Sequence, residues 1–103
     1  MRYEIDCSEA AGEDLSGYRA YDRITILDLI EKHLRYEPAR ESKSRIKALR
    51  GLSRPQYRLR VGNLRVFYDV RESVVEIIAI VDKTRASEWL DREGIKTQSE
   101  EKQ

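Results

Sequence analysis

Basic side chains that could bind phosphate are concentrated in one part of this chain. Between residues 40 and 65 the sequence has nine Lys or Arg residues against one acid, Glu41, although the whole protein has a formal net charge of only +1. Such a local surplus attracts polyanions, because each phosphate that a cation neutralises releases a condensed counterion. The pattern favours a phosphate-binding segment, and a solvated basic linker is the alternative. The nine residues are Arg40, Lys43, Arg45, Lys47, Arg50, Arg54, Arg58, Arg60 and Arg65.

Three of these arginines alternate with apolar residues on the two sides of Gly62-Asn63. Two alternating runs that flank Gly-Asn predict a β-hairpin with a tight turn of type II′ or a related type. In that register Arg60 and Arg65 are cross-strand partners, and Arg58 and Phe67 share their face of the sheet. Guanidinium groups bind phosphate oxygens bidentately, and an aromatic ring offers a nucleic-acid base a stacking surface. The alternative is internal pairing with the acidic tail or with nearby carboxylates, namely Asp69, Glu76 and Asp82.

Three elements are predicted before this hairpin. Residues 2–7 alternate polar and apolar side chains, which indicates a half-buried strand. Ser8 is a typical N-cap and begins a short helix that ends near residues 16–17. A main helix is predicted over residues 18–36, with one apolar stripe at helical spacing. The stripe consists of Ile24, Leu27, Ile30 and Leu34, widened by Ala20 and Tyr21.

The segment between the main helix and the hairpin has few apolar residues. Residues 39–56 are therefore predicted to form a long, basic, extended connection, punctuated by Gly51 and Pro55. We expect its basic residues to contact nucleic-acid phosphates. Those residues are Lys43, Arg45, Lys47, Arg50 and Arg54.

A strand and a helix are predicted after the hairpin. Residues 74–81 are nearly all apolar, which indicates a central strand buried on both faces. Residues 84–92 form a short helix whose apolar residues, Trp89 among them, pack back on the sheet. A domain over residues 1–94 is expected, followed by a polar, disordered tail over 95–103. The order β-α-α-β-β-β-α predicts an α+β fold with a four-stranded, antiparallel-rich sheet and helices segregated to one side.

Composition excludes several classes of protein. The 103 residues suit one soluble domain, with 40% hydrophobic and 38% charged residues. No apolar run approaches a membrane span, and the N-terminus is charged where a signal peptide is apolar, so a cytoplasmic location is expected. Cys7 is the single cysteine and His33 the single histidine. An internal disulfide and a four-ligand zinc site are therefore excluded, and neither a metal nor a cofactor is expected.

The hairpin sequence, residues 57–70, resembles the core signature of RelE/ParE-type toxins of bacterial toxin–antitoxin pairs. The resemblance extends over roughly residues 2–92 and is most specific at the hairpin. It also includes Leu49-Arg50-Gly51-Leu52, Tyr21-Asp22-Arg23, the apolar strand 74–81 and Lys83-Thr84-Arg85. It implies the RelE-like α+β fold and a small toxin that a partner antitoxin wraps and neutralises. RelE-type members cut messenger RNA on the ribosome without a metal, by attack of the 2′-hydroxyl on the adjacent phosphate, whereas ParE-type members inhibit DNA gyrase.

The resemblance also assigns roles to four arginines. Arg58 and Arg60 match the two basic strand positions of the family, and Arg65 matches its most characteristic arginine. Arg65 would then stabilise the charge of the pentavalent phosphate. Arg85 lies one residue beyond the last basic position, which Thr84 occupies. The implied catalytic residues are therefore Arg58, Arg60, Arg65 and Arg85, with mRNA and the ribosome as partners besides the antitoxin.

The chain departs from the family pattern near its C-terminus. Trp89-Leu90 stands where the family's catalytic Tyr is expected, and neither side chain transfers a proton. Tyr68 is of the right type but is predicted to face the core. Three functions stay open at this point: a ribosome-dependent mRNA endonuclease, a ParE-like inhibitor of gyrase without chemistry of its own, and a degenerate member that only binds its antitoxin.

Overall fold

A five-stranded sheet organises the part of the chain that this computed structural model describes, residues 1–97. The sheet has the strand order β1-β6-β5-β4-β2, in which β1 is parallel to β6 and the other pairs are antiparallel. A two-stranded ribbon pairs β3 with β7. The elements are β1 (Glu4–Cys7), α1 (Glu9–Ser16), α2 (Ala20–Leu34), β2 (Ile46–Ala48), β3 (Leu52–Arg54), β4 (Tyr57–Val61), β5 (Leu64–Arg71), β6 (Val74–Asp82), α3 (Lys83–Glu93) and β7 (Ile95–Lys96).

This architecture confirms the predicted α+β fold but corrects its helix placement and one of its segments. The helices are not segregated to one side, because Trp89 of α3 packs on Phe67, on the sheet face opposite α1 and α2. Residues 39–56 are predicted to be an extended connection, but they contain β2 and β3. β2 joins the main sheet as an edge strand and pairs with β4. Ile46 of β2 is buried in the core. Because basic residues flank it, the sequence does not show the alternation of polar and apolar residues that would have predicted a strand. The sheet therefore has five strands instead of four.

α1 and α2 cover one face of the sheet and enclose the core. The buried side chains include Ala11 and Leu15 of α1, and Leu59, Val66 and Ile77 of the sheet. On α2 the predicted stripe is half wrong: Ile30 and Leu34 are buried, but Ile24 and Leu27 are 59% and 43% exposed. Ile26, which the prediction omitted, takes the inner position. α2 carries apolar residues on two sides, and periodicity alone did not select the side that meets the sheet.

The C-terminal part of the described chain is also more ordered than predicted. A polar, disordered tail is expected from residue 95, but Ile95 and Lys96 form β7 against β3. The rest of the predicted tail, residues 98–103, lies outside the described residues. None of the helices in residues 1–97 has the length and apolar character that a membrane crossing requires.

Candidate nucleic-acid interface

The hairpin of β4 and β5 places three arginines on the sheet face opposite α1 and α2. The predicted register is confirmed, with Arg60 opposite Arg65 and Arg58 opposite Phe67. Gly62 at the turn has a φ of +59°, and Asn63 has no positive φ. A type II′ turn requires a positive φ at the first central residue alone, so the predicted turn type fits. Opposed residues of antiparallel strands point to the same face, and this brings the three guanidinium groups together.

β2 extends this surface by two cations. Lys47 is the register partner of Arg58. Arg45 and Arg60 exchange two hydrogen bonds: the Arg60 N–H donates to the Arg45 carbonyl at 2.9 Å, and the Arg45 guanidinium donates to the Arg60 carbonyl at 3.0 Å. The pairing therefore places two expected loop residues beside the hairpin arginines. We call the surface formed by Arg45, Lys47, Arg58, Arg60 and Arg65 the cationic face.

The cationic face has no carboxylate partner within residues 1–97, since no ion pair there involves its side chains. Arg65 donates to the main-chain carbonyls of Gly62 and Leu64 at 3.1 and 2.9 Å. The buried Nε of Arg58 has no hydrogen-bond partner. Burial lowers the pKa of Arg58, and the charges of Arg65 and Arg60 lower it further. An anion bound between these guanidinium groups would relieve their repulsion.

The three carboxylates that were the alternative partners of the hairpin arginines bind other groups instead. Asp69 and Glu76 accept hydrogen bonds from Arg54 at 2.8 and 3.1 Å. Asp82 accepts from the main chain and hydroxyl of Thr84 at the start of α3. The Arg54 guanidinium is thus already paired with two carboxylates and connects β3 to β5 and β6. Its side chain is 32% exposed, and its expected contact with RNA stays a prediction.

Phe67 is also corrected, because its side chain is 0% exposed and cannot receive a base. The ring of Trp89 on α3 covers it, with the two ring centroids 4.8 Å apart and the planes 4° from parallel. The contact confirms that Trp89 packs back on the sheet. Sequence reasoning placed Phe67 on the correct face but did not connect the two aromatic residues. The sequence could have connected Phe67 with Trp89 only if the docking position of α3 on the sheet had been known.

The remaining predicted site residues lie around the cationic face. Lys43 and Arg50 are exposed in the segments before and after β2, where the strand register does not place them. Arg85 is exposed in the first turn of α3. It lines an open cavity together with Val81, and Val81 is the register partner of Arg65. Arg85 therefore lies next to the β5–β6 side of the cationic face.

The tyrosine and histidine that could transfer a proton, Tyr68 and His33, lie away from the cationic face, whereas one carboxylate, Glu88, lines the neighbouring cavity with Arg85. Tyr68 is buried in the core, as predicted, and its hydroxyl donates to the Pro38 carbonyl at 2.6 Å. Burial raises its pKa. His33 belongs to α2, and burial, Arg45 and Lys32 all lower its pKa. Arg45 lies at the β2 edge of the sheet, where it lines a cavity with His33 and also donates to the Arg60 carbonyl. In the described residues no three His, Cys, Asp or Glu side chains form a group that could hold a metal. The chemistry available to this face is the binding and stabilisation of phosphate charge.

Comparison of this chain with known proteins finds similarity to solved structures. No protein-family model matches the sequence, and neither does any curated protein. The chain aligns with a chain of the archaeal RelE–RelB complex from Pyrococcus horikoshii at a TM-score of 0.66 and 25% identity, over 82% of this chain and 99% of that chain. A free-state mutant of the Escherichia coli toxin RelE gives a TM-score of 0.64 and 22% identity, over 90% and 99%.

A third likeness is to the toxin–antitoxin complex RelBE2 from Mycobacterium tuberculosis, with a TM-score of 0.65 and 20% identity over 80% of this chain and 99% of that chain. These alignments span nearly the whole length of the solved chains. They agree with the α+β order and the mostly antiparallel sheet described above. The chain therefore has the fold of the RelE-type toxins.

Proposed function

We propose that this chain is the toxin of a type II toxin–antitoxin pair and that it inhibits translation as a ribosome-dependent, metal-independent mRNA endonuclease. The observation that carries the proposal is the cationic face, whose five cations have no carboxylate partner in residues 1–97. A fold that needed these arginines only for stability would pair them, as it pairs Arg54. The RelE fold around that face supports the same function. The site of action is then the cytoplasm.

The chemistry follows from the charges on the face. When a ribose 2′-hydroxyl attacks the adjacent phosphorus, its proton passes to water, and the bond from phosphorus to the 5′-oxygen of the next nucleotide breaks. That oxygen takes a proton from water, and a 2′,3′-cyclic phosphate remains on the other fragment. Negative charge accumulates on the phosphoryl oxygens in the transition state. Arg60 and Arg65 lie directly opposite each other and would stabilise that charge from two strands. Arg58, half-buried beside Phe67, would hold a flanking phosphate. Arg85 would contact the phosphate from α3.

A cognate antitoxin is the expected protein partner. Several of the similar structures are complexes of a toxin with its antitoxin. An antitoxin segment with acidic side chains would neutralise the cationic face as RNA phosphates do. The apolar residues that α2 leaves exposed, Tyr21 and Ile24, offer a second contact. Antitoxin binding and RNA binding would then exclude each other.

Induced expression in bacteria tests the proposal, with growth and transcript 5′ ends followed for the wild type and Arg65→Ala. Loss of one donor to a transition-state oxyanion lowers a rate by about 100-fold or more, so the variant is expected to abolish arrest and in-frame cuts. Arg19→Ala is the matched control, because Arg19 is exposed at the start of α2 and makes no ion pair in the described residues. Full toxicity of a folded Arg65→Ala variant would contradict the proposal.

A second candidate function is favoured by the lack of a proton-transfer group on the cationic face, where Trp89 covers Phe67 and the Tyr68 hydroxyl is buried. A ParE-like toxin that inhibits DNA gyrase needs no such group. Arrest with intact transcripts and blocked supercoiling by purified gyrase would select this function. A folded protein without toxicity at any level of expression would indicate a member that only binds its antitoxin.

A further inference from the structure

An open cavity lies between the end of α2 and the start of β2, with a volume of about 310 Å³. We call it the α2–β2 pocket. His33, the single histidine of the chain, lines it together with five charged side chains and one tyrosine. Those six are Lys32, Tyr36, Glu37, Arg40, Glu41 and Arg45. With three cations and two carboxylates, the lining has a formal charge of +1 while His33 is neutral.

Both carboxylates of the pocket have hydrogen-bond partners within the fold, whereas two of its cations have no carboxylate partner. Glu37 accepts a hydrogen bond from Arg40 at 3.0 Å, and Glu41 accepts one from a main-chain N–H of β2 at 3.1 Å. In the described part of the chain, Lys32 and Arg45 form no ion pair. The pocket therefore has positive charge that would attract an anion.

Hydrogen bonds fix the loop that carries Arg45. The Ser42 hydroxyl accepts from the N–H groups of Arg45 and Ile46 at 3.0 and 3.2 Å, and the Ser42 N–H donates to the Ile46 carbonyl at 3.0 Å. The Arg45 guanidinium donates to the Arg60 carbonyl at 3.0 Å. Its other N–H donors have no partner in the described residues, so Arg45 is held in place with donors left for a ligand.

His33 is the titratable group that would sense an anion in the pocket. Its Nε2 is buried and has no hydrogen-bond partner among the described residues. Burial, Arg45 and Lys32 all lower the pKa of His33, so the imidazole is neutral at neutral pH. An anion bound near Lys32 and Arg45 would offset their charges and favour the imidazolium form of His33.

We infer that the α2–β2 pocket binds one tetrahedral oxyanion of the phosphate class between Lys32 and Arg45. Both side chains donate charge-assisted hydrogen bonds to such oxygens, and the fixed position of Arg45 reduces the ordering cost of binding. The inference goes beyond the proposed function, since Lys32 and His33 are not part of the cationic face. Because the bound anion favours the imidazolium, the affinity should rise as the pH falls through the pKa of His33.

The competing explanation is that Lys32 and His33 only interact with the negative end of the α2 macrodipole, because both lie in the last turn of that helix. The two explanations differ in how His33 responds to different anions. A bound oxyanion raises the pKa of His33 more than chloride does at the same ionic strength. Dipole compensation involves no bound anion, so the two salts would have equal effects through screening alone.

The first experiment follows the His33 ring resonances of the full chain by NMR from about pH 5 to about pH 8. No other histidine contributes, so one titration curve reports on the pocket. Sulfate is the probe because it keeps its charge throughout this range, and chloride at equal ionic strength is the control. We expect sulfate to raise the pKa of His33 relative to chloride and to bind more tightly at the acid end of the range. Identical titration curves in the two salts would overturn the inference.

Two lysine variants locate the bound anion. Lys32→Gln removes an exposed charge of the pocket and is expected to weaken sulfate binding about 10-fold, because one charge-assisted hydrogen bond is lost. Lys96→Gln removes the same charge from the exposed β7, outside the pocket, and should leave the sulfate affinity and the His33 titration unchanged. Equal weakening in both variants, or none in a folded Lys32→Gln variant, would contradict the site.

A short single-stranded RNA, used in place of sulfate, identifies the source of the oxyanion. Because Lys32 lies outside the cationic face, an RNA effect on His33 that Lys32→Gln removes would come from a phosphate inside the pocket. That result would assign the pocket to an RNA phosphate next to the one that Arg60 binds, with Arg45 between them. A sulfate effect without an RNA effect would assign it to a free oxyanion. Either result supports the inference, and the absence of both overturns it.

The outcome is independent of the test of the proposed function, because the His33 titration needs neither a ribosome nor a cell. Arg65-dependent transcript cuts together with identical titration curves in sulfate and chloride would keep the nuclease and remove the oxyanion site. A Lys32-dependent sulfate effect in a protein that arrests growth with intact transcripts would keep the site and remove the nuclease.

Discussion

At the scale of single residues, charged side chains on one face of the sheet have different partners at successive positions along the strands. Residues that are register partners across neighbouring strands form one row. On β5 the residues of this face are Arg65, Phe67 and Asp69, about 7 Å apart along the strand. Arg65 lies in a row without carboxylates, whereas Asp69 lies opposite Glu76, where Arg54 is neutralised. The buried Phe67 separates the two rows. An arginine of this face is therefore either paired with carboxylates or left without such a partner, according to its position along the strands.

Asp69 is the buried residue on which the ion pairing of Arg54 depends. It is 1% exposed and accepts hydrogen bonds from Arg54 at 2.8 Å and from the Gln56 N–H at 2.7 Å. We expect Asp69→Asn to lower the free energy of unfolding by about 2 kcal/mol, because the buried side chain loses the charge that strengthens its hydrogen bonds from Arg54 and Gln56, while Arg54 keeps its pair with Glu76. Urea unfolding measures this loss. Asp91→Asn on the exposed side of α3 should stay within about 0.5 kcal/mol, and equal losses in both variants would contradict the role.

At the scale of elements, the sequence predicted what depends on local pattern. The hairpin register follows from period-2 alternation around Gly62, and it was correct. β2 was missed because its pairing with β4 is non-local and only Ile46 of the strand is buried. The burial of Phe67 was missed for a similar reason, since it depends on where α3 docks. The hairpin arginines and their register could thus be predicted, whereas the placement of Arg45, Lys47 and Arg85 beside them, which depends on β2 and α3, could not.

The junction of β1, α1 and β6 tests a local signal that was correct. The Ser8 hydroxyl accepts from the Ala11 N–H at 3.0 Å, as an N-cap does, and donates to the Ile78 carbonyl at 3.0 Å. Ser8→Ala is expected to cost about 1–2 kcal/mol of unfolding free energy, since both bonds are lost. Chemical denaturation of the variant provides the value. Ser16→Ala, at the exposed end of α1, is the control and should be nearly neutral, so a similar loss there would argue against a capping role.

At the scale of the whole molecule, opposite charges occupy opposite edges of the sheet. The acids Glu4 and Asp6 belong to β1, and Glu9 and Glu13 belong to the adjoining α1, whereas the cationic face extends to β2 at the other edge. Four strand spacings separate the two edges, or about 19 Å. Arg65 on β5 is two spacings from β1, or about 10 Å, so even the nearest part of the cationic face lies beyond the Debye length of about 8 Å at physiological salt from the acids of β1. A chain with a net charge of only +1 therefore presents one strongly basic surface.

The salt dependence of RNA binding measures how many of these cations act. If all five residues of the cationic face neutralise phosphates, the logarithm of the association constant should fall against the logarithm of salt concentration with a slope of about −3.5, or about −0.7 per phosphate. Arg60→Ala should reduce the slope by about 0.7, because one counterion fewer is released. Arg19→Ala, which removes the same charge at the start of α2, should leave the slope unchanged. Equal changes in both variants would show that overall charge, and not the cationic face, attracts the RNA.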